Sequence, residues 1–353
     1  MNGGEEFVAM TSSFGWNALF GLGDGFSTFA LLPVAFVFFF FLILFPLYFA
    51  LGFAERKLAA DLQARVGPNR TPGDGALQVV ADLFKLGAKT SSRGDSSLNP
   101  RWFAVQNAAL YATFVFIPFG TSLVFLDSEI GAFLPFVCLS GVFLCSLFAS
   151  EGAADLENEI MAHSQSFLWI SAWVPALIAM TTAVARAGSA RWSTILSSQS
   201  HGVFSWVAFS SPFGFVAFFV FLFSGLVALQ LPPFHSLDRG VRHRSGARLG
   251  LFGLNQFYAT FVWCLLATGL FLGGQAVREP AEITFFSAAI QLFLALFKSG
   301  FIYLLLRVVA RALPQLRQDQ MTELCWRILT PVGALCLIGE LVWLRLFSGG
   351  SSG

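Results

Sequence analysis

The chain has 353 residues, of which 56% are hydrophobic and 12% charged, with a formal net charge of +1. So much apolar surface exceeds what a soluble core can hide, which excludes a soluble globular protein and indicates a polytopic membrane protein. The near-neutral balance excludes a nucleic-acid partner; the informative quantity is where the charges fall.

Met1 to Asp24 is acidic and glycine-rich where a cleavable signal would be basic, and residues 1–29 are read as an N-terminal segment. Charge-poor intervals then recur near 30–54, 102–126, 130–150, 163–185, 203–230, 249–274, 282–307 and 325–346. A helix needs about 20 residues to cross a bilayer, so these predict an all-α polytopic membrane protein of about eight transmembrane helices. The expectation is a single α-helical membrane domain over 1–353, with a long, partly helical first loop over 55–101. The seventh interval carries Lys298 and the eighth Glu340, which makes these two spans the least regular. Residues 348–353 contain serine and glycine only and form a flexible tail. No internal repeat is evident.

Basic residues cluster in the loops after spans one, five and seven. By the positive-inside rule these loops form one face, matrix or cytoplasmic, with both termini opposite. The loops of the other face are short and offer few polar groups.

Directly below the first apolar run, Glu55, Arg56 and Lys57 emerge together at a membrane edge. Such a cluster serves either as an ordinary anchor or as a functional group held at costly depth. Gln63 and Arg65 follow, then Gly67-Pro68-Asn69, a turn signal expected to stop the helix. Gly75 to Lys89 has helical periodicity: Ala76, Val79, Val80, Leu83 and Phe84 make an apolar stripe, with Asp82, Lys85 and Lys89 on another face. An interfacial helix fits that pattern.

The third loop crowds Glu151, Asp155, Glu157 and Glu159 before span four. In the fifth, Pro233-Phe234 is followed by His235, Asp238, Arg239, Arg242, His243, Arg244 and Arg248. Two histidines among arginines are poor metal ligands, because the local potential repels a cation, so no metal site is expected. Cys138, Cys145, Cys264, Cys325 and Cys336 lack ligand spacing and are read as packing residues. Beyond span seven come Pro314, Arg317, Asp319-Gln320, Trp326 and Pro331; Arg317 and Asp319 could simply end the span at the headgroups.

Glu55-Arg56-Lys57, Gln63-x-Arg65 and Gly67-Pro68-Asn69 at this spacing resemble subunit 1 of respiratory complex I, the H subunit in bacteria. Leu77-Gln78, Ala81-Asp82, Lys85-Leu86 and the run from Pro314 to Pro331 extend the resemblance. Its sequence-specific part covers residues 54–89 and 313–331, with a fragment at 233–234. It departs where Thr90 follows Lys89 in place of an acidic residue. It departs again at Met161 and Trp169-Ile170, where the family places an arginine and a tyrosine–glutamate pair. The family's acidic cluster after Pro-Phe is here mostly arginine.

The resemblance implies a membrane subunit of proton-translocating NADH:ubiquinone oxidoreductase at the foot of the peripheral arm. Ubiquinone would be the substrate, with no flavin, haem or iron–sulfur cluster bound by this chain. Partners would be other complex I membrane subunits, the peripheral-arm subunit carrying the terminal iron–sulfur cluster, and lipids. Glu55, Arg56, Gln63, Arg65, Asp82 and Lys85 are candidates for quinone binding or proton transfer. Gly67, Pro68, Asn69, Arg317, Asp319, Gln320 and Trp326 match motif positions. Glu157, Glu159, Asp238, Arg239, Arg242 and Arg244 form a divergent charge cluster expected to neutralise itself between loops three and five. The expected location is the mitochondrial inner membrane, consistent with the Phe-, Gly- and Trp-rich composition, or else a bacterial plasma membrane. Two alternatives stand beside this reading: the membrane anchor of an energy-converting hydrogenase, and a structural subunit that has lost proton coupling.

Overall fold

Apolar runs in lipid must satisfy their backbone groups internally, so they fold as helices. The computed structural model describes residues 37–90, 100–119, 127–150, 156–231, 246–274, 285–314 and 316–348, and among these every regular element is helical. The principal helices are α1 (Val37–Leu62), α2 (Gln78–Ala88), α3 (Pro100–Thr113), α4 (Phe133–Ser150), α5 (Leu156–Ala187), α6 (Trp192–Ser198) and α7 (Val207–Ser210). They continue as α8 (Pro212–Ala228), α9 (Gly246–Phe271), α10 (Phe285–Ala312), α11 (Gln318–Glu323) and α12 (Thr330–Ser348). Among the described residues, five stretches are long and apolar enough to cross a membrane: 37–62, 163–187, 246–271, 286–312 and 318–346. Shorter apolar helices occupy 133–145 and 212–228. Each of the eight expected intervals overlaps a helix among the described residues, and five of them coincide with helices long and apolar enough to cross a membrane.

α9 is the axis of the bundle. Every residue from Phe257 to Phe271 is buried, and α1's partner α10, the short α2, and α3, α5, α6 and α8 all pack against it. At the α8 contact a Cβ on Gly225 would lie 2.1 Å from Trp263 Nε1. Glycine there lets the indole lie against α8 and donate to the Phe221 carbonyl at 3.2 Å, a close approach typical of small residues between membrane helices.

Two prolines widen their helices in the same way. Pro46 and Pro331 have no N–H to give, and each ring would crowd the carbonyl four residues earlier. The chain responds with π-helical turns at Phe40–Leu44 and Leu324–Leu329, in which Phe45 N–H bonds to Phe40 O and Thr330 N–H to Cys325 O.

Several expectations are corrected. The fifth span begins at Pro212, not 203, because Pro212 enters a first helical turn whose N-cap is Ser211; the Ser211 hydroxyl accepts from Gly214 N–H at 2.9 Å. The loop between α5 and α8, expected to be short and to offer few polar groups, instead folds inward. Trp192, Ile195 and Leu196 are fully buried. Gln199 Oε1 accepts from the N–H groups of Val207 and Gly273, and its Nε2 is shared among the carbonyls of Ile195, Gly269 and Leu270. α1 ends at Leu62, with Ala64 in left-handed geometry (φ 51°), five residues before Gly67. Gly67 and Pro68 do not stop the helix; they fold the chain back on it. A Cβ on Gly67 would meet Lys57 Cδ at 3.1 Å, and one on Gly75 (φ 94°) would strike Pro68 O at 2.1 Å.

The irregular seventh and eighth spans acquire a physical reason. Lys298 sends its ammonium to the carbonyls of Leu272 (3.1 Å) and Gly274 (2.9 Å) and over the Trp206 ring, using the free carbonyls at the end of α9. Glu340 is wholly buried between Arg186 and Ser211. All five cysteines are free, and four are buried, as packing residues should be.

Candidate functional site at the inner membrane edge

α1 runs without a break from the apolar interval into the charged motif, so helix phase decides where Glu55 and Arg56 point. Glu55 turns toward α10. Its Oε1 accepts from Arg311 Nη2 at 2.7 Å and its Oε2 from the Tyr303 hydroxyl at 2.7 Å, with Arg307 Nε 3.5 Å away. Only 17% of the Glu55 side chain is exposed. A carboxylate at that depth is tolerable because it is paired and hydrogen-bonded. Two guanidiniums face one carboxylate, so this cluster carries one excess positive charge.

Arg56 turns toward α2, donating through Nη1 to Asp82 Oδ2 at 2.6 Å, while Gln78 Nε2 holds Asp82 Oδ1 at 2.9 Å. The face expected to carry Asp82, Lys85 and Lys89 together is thereby split. Asp82 is drawn inward by Arg56, whereas Lys85 and Lys89 remain exposed. The apolar stripe is split as well: Val79 is buried, but Phe84 is 74% exposed. α2 thus packs on the bundle through Val79 and on α1 through the Arg56–Asp82 pair, and leaves Phe84 on its outer side.

Between the ends of α1 and α10 lies a cavity of about 430 Å³ lined by Arg56, Ala59, Gln63, Arg65, Pro68 and Arg311. Gln63 is the C-cap of α1, and its Oε1 accepts from Arg65 Nε at 2.7 Å. Three guanidiniums and no carboxylate line this space, and its volume suits a ring-sized ligand. Gly67 and Asn69 belong to the folded-back loop behind it.

The C-terminal motif does not join this cavity. Arg317 is the N-cap of α11, its backbone N–H donating to Gln320 Oε1 at 3.1 Å, and its largely exposed side chain pairs with Asp319 at 3.1 Å. Trp326, about half exposed, sits in the π-helical turn beyond. Glu157 and Glu159 lie in the first turn of α5, without described side chains, and Asp238, Arg239, Arg242 and Arg244 lie outside the described residues. Among the described residues no group of His, Cys, Asp and Glu could hold a metal.

The sequence alone gives Tyr303 no site role, and Arg307 and Arg311 enter it only among the basic residues that cluster after span seven and set the topology. Their signal was their spacing, i, i+4 and i+8, which places all three on one face of α10.

The motif residues of α1, the following loop and α2 thus meet at one membrane edge. The family model described as NADH dehydrogenase matches residues 34–340. The chain belongs to that family, the subunit 1 type of respiratory complex I. As a complex I-type membrane subunit it works within a larger oxidoreductase, among other subunits. The match begins next to α1 and ends at Glu340, so it takes in both charged clusters and the whole of the α9-centred bundle.

Proposed function

We propose that this subunit forms part of the quinone cavity of a proton-translocating NADH:ubiquinone reductase and joins electron transfer to proton movement. The observation that carries the reading is the convergence of Arg56, Gln63, Arg65 and Arg311 on a 430 Å³ cavity at the membrane edge. Donors of this kind suit the oxygens of a quinone head, whose negative charge on reduction a guanidinium stabilises. Glu55 and Asp82 each already share a proton-capable carboxylate with an arginine. A reduced quinone competing for Arg56 or Arg311 would draw the guanidinium away from its carboxylate and loosen those pairs. Electrons would arrive from an iron–sulfur cluster held by a neighbouring peripheral-arm subunit. This chain would supply walls, entrance and charges, with Lys85 on the exposed side of α2 meeting that arm. The location proposed is the mitochondrial inner membrane.

A photoreactive quinone analogue, used on the whole complex, tests this. Labelled peptides from residues 54–70 or 303–314, displaced by ubiquinone, support the cavity; labelling elsewhere in the subunit refutes it.

A structural subunit without proton coupling is the second reading, favoured by Arg239, Arg242 and Arg244 where the family resemblance places carboxylates. We propose in addition that these arginines and Asp238 are neutralised by Glu157 and Glu159 at the start of α5, since each group of like charges alone repels itself. Guanidiniums stay charged and cannot relay protons.

A further inference from the structure

α8 is too short for the layer it should cross. Its 17 residues, Pro212–Ala228, extend about 26 Å, against roughly 30 Å of hydrocarbon. Lack of apolar sequence does not limit it, because no Asp, Glu, Lys or Arg occurs between Arg191 and Asp238. The helix starts late because the residues before it take another course. They form a 3-10 turn over Val203–Ser205 and the single turn of α7 over Val207–Ser210. Val203 and Phe209 face outward from these turns, and Phe204 is 87% exposed.

Trp206 shows how deep this segment lies. Its ring covers the Lys298 ammonium, 4.1 Å from the ring centroid, and a Cβ on Gly273 would meet its Nε1 at 2.4 Å. Lys298 stands about 20 Å along α10 from Phe285, the first residue of that helix. A helical side chain leans toward the N-terminus, which shortens that depth without removing it. Over those same turns α10 exposes Phe286, Ile290, Phe293 and Phe297, the kind of face a spanning helix turns to lipid. The segment therefore lies within the apolar layer and not above it.

Irregular backbone at that depth must satisfy its polar groups within the protein. Here the N–H groups of Ser205, Trp206, Phe209 and Ser210 bond to the carbonyls of Gly202, Val203 and Trp206, and that of Val207 to Gln199 Oε1. The Ser205 hydroxyl donates to the carbonyls of Gln199 (2.9 Å) and Gly202 (2.6 Å), that of Ser210 to Val207 O (3.3 Å), and that of Ser211 to Glu340. The Trp206 indole N–H, buried without an acceptor, is an exception. Hydroxyls thus turn inward while phenyl rings turn outward. The outward rings continue from Phe209 to Phe215 (centroids 6.4 Å) and Phe219 (5.0 Å) along α8. A protein interface carries a polar rim, whereas this surface runs from loop to helix without a charge.

We propose that residues 202–211 are a re-entrant segment embedded in the leaflet remote from Glu55, forming a docking surface for phospholipid acyl chains. Phe204 and Phe209 enter the hydrocarbon, and Phe215 and Phe219 extend the same surface down α8. The segment makes up the length that α8 lacks. Lys298 stands behind it, its charge held by the Leu272 and Gly274 carbonyls and by the Trp206 ring, so that no free cation faces the chains at this point. The proposal is independent of the cavity reading. Phe257, which meets Tyr303 beside Glu55, lies about 21 Å along α9 from Phe271, the end on which the segment packs.

The test labels the assembled complex in phosphatidylcholine proteoliposomes with two photoreactive carbene precursors. One is carried partway along a phosphatidylcholine acyl chain; the other is small and water-soluble. Digestion and mass spectrometry give the ratio of the two labels at each residue, and no substitution is needed. Glu129, 87% exposed and 3.8 Å from Arg191, is the aqueous reference; Phe215 and Phe219 of α8 are the lipid reference. The expected ratio of lipid to aqueous label at Phe204 and Phe209 equals that at Phe215 and Phe219 and far exceeds that at Glu129. A ratio at Phe204 matching Glu129 overturns the proposal and makes residues 202–211 an aqueous loop. Failure of both reagents to label Phe204 also overturns it, and assigns the surface to a neighbouring subunit. Failure of the cavity reading would show separately, in the quinone-analogue labelling of residues 54–70 and 303–314, and would leave these ratios unchanged.

Discussion

Arg311 reaches from α10 to Glu55 of α1, placing Nη2 2.7 Å from Oε1 across 256 residues of sequence. The contact joins the first membrane helix to the seventh expected span, and Arg307 and Tyr303 from the same face complete it. Glu55 is thus the only counter-charge that two guanidiniums find within the described residues of this cluster.

Removing that carboxylate should therefore be costly. Glu55→Ala leaves Arg307 and Arg311 facing each other without compensation, and breaking a buried pair in this way costs about 3–5 kcal/mol. Glu55→Gln, which still accepts hydrogen bonds, should lose less. Thermal denaturation of the purified complex, with assembly followed on native gels, measures both. Equal midpoints for Glu55→Ala and the parent would remove the cluster from the forces holding α1 against α10.

The Arg56–Asp82 pair makes the opposite forecast. Its side chains are 38% and 37% exposed, so solvent screens the pair and its contribution to stability is only about 0–1 kcal/mol. Arg56→Glu and Asp82→Arg should assemble normally, yet reduce quinone-dependent turnover and sensitivity to quinone-site inhibitors. The double reversal should recover part of both. If each single variant assembles and reduces quinone at the parental rate, the pair is an anchor and nothing more.

Topology gives a third expectation. With the basic loops on the matrix or cytoplasmic face, single cysteines placed in residues 1–24 or 348–353 should react with an impermeant reagent from the opposite side. Cysteines at Arg65 or Arg70 should react from the basic side only. Labelling of either terminus from the basic side would defeat the eight-span arrangement.

Much of this molecule was legible in its residues because the bilayer limits the choices. Span positions, the short helix before Lys89 and the charged edge at Glu55 follow from apolar length and period alone. What the pattern could not supply was helix phase at the contacts. α2 reads as an amphipathic helix with Asp82 beside Lys85, but only Asp82 finds a partner across the contact, the Arg56 guanidinium, while Lys85 stays exposed. Tyr303, Arg307 and Arg311 look like the tail of an apolar span until α1 is packed against them. The inward fold of residues 192–207 depends on Gln199 finding unpaired backbone groups at the end of α9, a partnership with no local sequence signature. Lys298 and Glu340 marked their spans as unusual, and their partners, 24 and 154 residues away, explain why.

Glu340 supports the last prediction. Its carboxylate is fully buried on α12, receives Arg186 Nη1 of α5 at 2.9 Å, and also accepts the Ser211 hydroxyl. That hydroxyl simultaneously caps α8 through Gly214 N–H, so one carboxylate ties three mutually packed helices together. Its negative charge lies at the N-terminus of α8, where the helix dipole favours it. Glu340→Met should strand Arg186 in an apolar setting and cost about 3–5 kcal/mol, whereas Arg186→Met with Glu340→Met should come out near neutral, since a packed apolar pair often matches a buried ionic one. Ser211→Ala removes the cap and should cost about 1 kcal/mol. The comparison of single and double variants separates a charge effect from a packing effect, because both substitutions bring similar volume. Thermal midpoints of the assembled complex decide it: a low single variant rescued by the double confirms the pair, and a double variant as unstable as the single assigns Glu340 to packing alone.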